Sequence, residues 1–127
     1  MSDENRLDPR LSGEEWTPAH KAVEGSDYEA LTVLLDAGTD PNEMCFGHTL
    51  LTHAIDVEGD GHLQSGYPLN TAATAILLAY GADPELPAAD GETPLQMAEY
   101  YQHELAQRLL QRFLDARNIS PLRSRES

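Results

Sequence analysis

Thr17-Pro18-Ala19-His20-Lys21-Ala22 decides how this chain is read, because it comes back twice in altered form. The later copies are Thr49-Leu50-Leu51-Thr52-His53-Ala54 and Thr93-Pro94-Leu95-Gln96-Met97-Ala98. A leucine pair follows each copy, at Leu34-Leu35, Leu77-Leu78 and Leu109-Leu110. The first two pairs lead into Gly38-Thr39-Asp40-Pro41-Asn42 and Gly81-Ala82-Asp83-Pro84-Glu85. Self-similarity on this scale means that one supersecondary unit is stacked on itself.

Each residue type in the motif has a mechanical reason. Pro18 and Pro94 suit the first turn of a helix, where the N–H they lack would have had no partner. Thr17, Thr49 and Thr93 then stand where a hydroxyl can cap the exposed N–H groups. Ala22, Ala54 and Ala98 let neighbouring helices come close. The leucine pairs predict a second helix that returns along the first, and Gly38 and Gly81 suit the left-handed position that ends a helix. Each unit therefore reads as helix, turn, helix, glycine cap and extended turn.

The pattern resembles the ankyrin repeat, whose signature is T-P-L-H-x-A, a leucine pair and then G-A-D-x-N. The first unit keeps Thr17, Pro18, His20, Ala22, Leu34, Leu35, Gly38, Asp40 and Asn42, and the third keeps Asp90, Gly91, Thr93, Pro94, Leu95 and Ala98. The second departs most, with Leu50 for the proline and Thr52 for the histidine. The resemblance implies an all-α ankyrin-repeat solenoid over residues 13–117, with repeats at about 13–44, 45–87 and 88–114. Residues 1–12 read as a flexible leader, from which Leu7 and Leu11, with Trp16, could fold back on the first unit, and residues 118–127 read as a flexible tail. His20, the signature histidine, is expected to bond between neighbouring turns.

The spacing has one irregularity. From Thr17 to Thr49 is 32 positions, but from Thr49 to Thr93 is 44. Ala22 to Leu34 spans 12 positions and Ala54 to Leu77 spans 23, so about 11 extra residues enter between the helices of unit two. They fall at 58–68, a glycine-rich and charged stretch whose composition predicts a loop. Insertions in repeat proteins often decorate a binding face.

Overlapping the start of that stretch, Asp56, Glu58, Asp60 and Gly61 match the opening of a calcium loop, with oxygen ligands at positions one, three and five and glycine at six. Tyr67 stands where the bidentate Glu should be, so a solvated acidic loop is the reading preferred. His48, His53 and His62 lie near these carboxylates, but their spacing matches no zinc pattern. No nucleophile pattern surrounds Cys45, and no phosphate loop, serine elbow or catalytic carboxylate pair occurs. The expectation is a protein that is not an enzyme and carries no metal or cofactor.

The chain has 127 residues, 22 of them acidic and 8 basic, for a formal net charge of −14. Such a chain is repelled by nucleic-acid phosphates and by anionic membranes, and is suited to a basic partner. The same acidity can equally serve solubility alone. A single cysteine, no apolar run at the amino end and no run long enough to span a bilayer predict a cytoplasmic monomer.

With no catalytic apparatus, the solenoid implies protein–protein recognition through a concave groove and finger loops. The predicted contact residues are Phe46, His48, Asp56, Glu58, Asp90, Glu92, Tyr100 and Tyr101. The aromatics would anchor a partner protein, and the carboxylates would steer a basic one. The alternative is a small acidic inhibitor, an immunity protein or antitoxin, that occludes a basic partner's active site.

Overall fold

The computed structural model describes residues 16–66 and 68–126, with side chains as far as Arg117. The leader with Leu7 and Leu11 lies outside the described residues, as does Tyr67. Among the described residues six helices and one small hairpin follow in the order α1 (Pro18–Glu24), α2 (Tyr28–Asp36), β1 (Met44–Cys45), β2 (His48–Thr49), α3 (Leu50–Ser65), α4 (Ala72–Ala79), α5 (Pro94–Tyr100) and α6 (Glu104–Glu126). α1, α3 and α5 pack side by side as an inner row, and α2, α4 and α6 back onto them as an outer row.

All three motif copies start a helix by the same device. Thr17, Thr49 and Thr93 cap α1, α3 and α5, each hydroxyl accepting from the backbone N–H three residues on. Thr52, the residue that replaces the signature histidine, closes a capping box by accepting from Thr49 N–H at 2.9 Å. Gln96 does the same for Thr93 at 2.9 Å. The departure in unit two is thus a change of capping partner, each such cap being worth about 1 kcal/mol.

Gly38 and Gly81 take the left-handed conformation, with φ of 110° and 98°. Thr39 N–H and Ala82 N–H then reach back to the carbonyls of Leu34 and Leu77, in the last turns of α2 and α4. Leu31, Leu50, Leu51, Ile55, Leu77 and Leu110 are fully buried in the core, as are Ala54 and Ala98.

Two segments differ from expectation. Residues 58–65 are not a loop: α3 runs for 16 residues and ends only at Gly66, φ 72°. Glycines at 59 and 61 cost a helix about 1 kcal/mol each, but the tertiary contacts outweigh this. Tyr101 lies so close that a Cβ on Gly59 would sit 2.3 Å from its ring. The glycine that reads as a loop signal is a packing glycine. At the other end, α6 continues as helix through the segment read as a tail, to Glu126.

Candidate functional site

The hairpin between units one and two is the first finger. Met44 pairs with Thr49 and Cys45 with His48. The two turn residues between them, Phe46 and Gly47, both have positive φ, 51° and 81°. That is the twist a two-residue hairpin turn needs, and Asn or Gly normally supplies it. Phe46 pays a steric cost to occupy it and still leaves its ring 46% exposed. The second finger, around 88–92, closes on itself through Ala88 N–H to Glu92 O at 2.9 Å. It also docks on the first, with Ala89 N–H donating to Gly47 O at 2.9 Å.

Behind the finger tip is an aromatic platform. Trp16 stacks on His53, centroids 4.4 Å apart, and on His20 at 5.4 Å, while Phe46 meets it edge-on at 4.9 Å. His20 is fully buried, and its Nε2 donates to the His48 carbonyl at 3.0 Å, so its Nδ1 accepts from the Thr17 hydroxyl at 2.7 Å. The bond between neighbouring turns expected of this histidine is present. Burial holds His20 below the usual histidine range, against the pull of the His48 carbonyl. His53 is pushed down to about 4, first by burial and then by the neighbouring rings of His20 and His48. Among the described residues neither His53 ring nitrogen has a hydrogen-bond partner of good geometry, although the Glu24 carboxylate stands 3.1 Å from Nε2.

A cleft of about 190 Å³ opens beside the platform, along α3 and α5. His48, Asp56, Asp90, Glu92, Tyr100 and Tyr101 line it together with Met97. Of the predicted contact residues, these six come together and two do not. Phe46 belongs to the adjoining platform. Glu58 is turned away and its side chain is 5% exposed. Its carboxylate accepts from the Thr74 hydroxyl at 2.9 Å and the Thr74 N–H at 3.2 Å, and from His103 Nε2 at 2.9 Å. The same His103 nitrogen faces the Asn70 carbonyl at 2.9 Å. Glu58 therefore ties α3 to α4 and to the start of α6, and offers a partner nothing.

Tyr100 and Tyr101 part company as adjacent helix residues must. Tyr100 is 73% exposed. Tyr101 is half-buried against Gly59 and donates its hydroxyl to Asp56. Burial, and the carboxylate beyond the bond, push its pKa well up.

The carboxylates that suggested calcium are on one continuous helix, each with its own partner: Asp56 with Tyr101, Glu58 with Thr74 and His103, Asp60 with Gln64. A helix cannot wrap them round an ion as a loop does. Among the described residues no group of three or more His, Cys, Asp or Glu is placed to hold a metal.

The stacked helix pairs and interlocking fingers define a helical repeat solenoid. Compared with solved structures, the chain is similar to an ankyrin repeat domain from Acinetobacter baumannii, with 32% identity and a TM-score of 0.64 over 76% of this chain. It spans about half of that chain, 47%. The protein is ankyrin-repeat-like. No protein-family model matches the sequence, and no curated protein matches it. A stack of this kind is in general a protein-interaction fold. No helix among the described residues is long and apolar enough to cross a membrane.

Proposed function

We propose that the protein is a non-catalytic interaction module that binds a partner protein with the face formed by the two fingers, the aromatic platform and the cleft. The observation that carries this reading is the gathering of His48, Asp56, Asp90, Glu92, Tyr100 and Tyr101, from four separate stretches of chain, around one cleft. Exposed tyrosine is among the residue types that carry most interface binding energy. The net charge of −14 favours a basic protein over nucleic acid or an anionic membrane. It acts in this reading as a cytoplasmic monomer, with no cofactor.

A narrower form makes it an acidic inhibitor that covers a basic partner's active site. The same charge supports it, and blocked activity of the isolated partner would distinguish it. The test of the whole reading is to isolate the partner by affinity capture at low and moderate salt, and then to map the complex by hydrogen exchange. Protection over 44–49 and 88–101 is expected. Protection confined to α2 and α4 would overturn the reading.

A further inference from the structure

The cleft is too small for most metabolites: pockets that hold small molecules are roughly 300–1,000 Å³, against about 190 Å³ here. That is room for part of one side chain. Its lining says which kind.

One wall is aromatic. Tyr101 is held by Gly59 behind it and by Asp56 at its hydroxyl. Tyr100 stands at 83° to Tyr101, 5.0 Å between centroids, and is 73% exposed, so most of it is open to solvent. The opposite wall is the second finger. There Asp90 spends one oxygen on Glu92 N–H at 2.9 Å, and among the described residues no hydrogen bond or ion pair engages the Glu92 carboxylate. Among the described residues no lysine or arginine lines the cleft, and its three carboxylates, Asp56, Asp90 and Glu92, have no cationic partner there.

We propose that this cleft receives the guanidinium of an arginine on the partner protein, stacked on Tyr100 and forked to Glu92 and Asp90. The assignment rests on the interaction reading above and names the side chain that this face recognises. A planar cation satisfies both walls at once: its face lies on a tyrosine while its edge donates to carboxylates. Lysine, a point charge without a flat face, satisfies only one.

The probe is the peptide acetyl-Gly-Arg-Gly-amide, titrated at low salt into the full chain and followed by amide chemical shifts. Lysine and citrulline versions serve as comparisons. Saturable shifts at residues 56, 90–92 and 100–101 are expected, with the citrulline peptide inert and the lysine peptide weaker. Glu92→Gln should raise the Kd roughly threefold, and Tyr100→Leu roughly two- to fivefold. Both variants should melt like the parent, since both side chains lie on the surface. Equal shifts from citrulline, shifts centred elsewhere, or a lysine peptide as tight as the arginine one would overturn the assignment. The peptide tests the cleft without the partner, so its failure discards the arginine alone. The interaction reading falls only if the footprint of the whole partner misses this face.

Discussion

Units one and two start from the same capped motif and end differently. α1 stops at Glu24 after 7 residues, whereas α3 runs on for 16. Gly25 ends the first helix, yet Gly59 and Gly61 do not end the second. Glycine is permissive, and what it permits depends on its surroundings. At Gly25 only the Lys21 carbonyl lies near a notional Cβ, at 3.5 Å, so the chain is free to turn. At Gly59 the space belongs to Tyr101, and Glu58 is bonded to α4 and α6. Long-range contact holds the second helix where local preference would let it go.

The contrast between the units can be broken by substitution. Leu77, fully buried in the middle unit, should cost about 4 kcal/mol when changed to Ala, and Leu35, in the end unit and 6% exposed, about 2–3 kcal/mol. Chemical denaturation gives both numbers, and an unchanged melting temperature for Leu77→Ala would undo the repeat register. Next comes Glu58→Ala, which leaves His103 buried without its carboxylate and should cost about 3 kcal/mol. Amide exchange at 59–65 should rise with it; unchanged exchange there would mean that Glu58 does not hold the extension.

Gly59→Ala sharpens the comparison further, because two effects oppose. Helix propensity alone favours alanine by about 1 kcal/mol. The clash with Tyr101 should reverse the sign and leave a net loss of about 2 kcal/mol. A stabilised variant would show that the ring moves freely aside.

The smallest effect is acid sensitivity, and it belongs to unit one's border with unit two. His53 has a folded pKa of about 4 against 6.5 for the free side chain. The unfolded chain therefore takes up the proton first, and stability falls as the pH drops from 6.5 towards 4. By pH 4.5 the loss should reach about 2 kcal/mol, less than the full linkage value because that pH still lies above the folded pKa. His53→Phe should flatten that slope in melts from pH 7 to 4.5, and an equal slope in both proteins would put the acid response elsewhere.

What the sequence made legible follows the same division. The caps at Thr17, Thr49 and Thr93 and the glycine ends at Gly38 and Gly81 are local and recur in register, so the fold could be read directly. The cleft was largely legible because its residues sit at equivalent finger and inner-helix positions of a known repeat. The role of Glu58 was not. Its partners Thr74 and His103 are 16 and 45 residues away, and nothing nearby announces them. The Trp16 platform is half visible in the sequence: its aromatics stand out there, but the histidine rings stacked among them do not. The loop expected around Asp56, Glu58 and Asp60 was not legible as helix, because the glycines at 59 and 61 are loop signals locally and only the distant packing of Tyr101 keeps the stretch helical.

The bond from Ala89 N–H to Gly47 O joins the two fingers, and so joins the His48 side of the cleft to the Asp90 and Glu92 side. Under the proposed reading, a guest entering between them would meet walls already tied together and would have little ordering left to impose. The Ala89 amide is also a one-proton gauge of that separation. Its exchange rate slows if a guest clamps the fingers and quickens if a guest wedges them apart, so a single resonance reports which way the protein yields to whatever it holds.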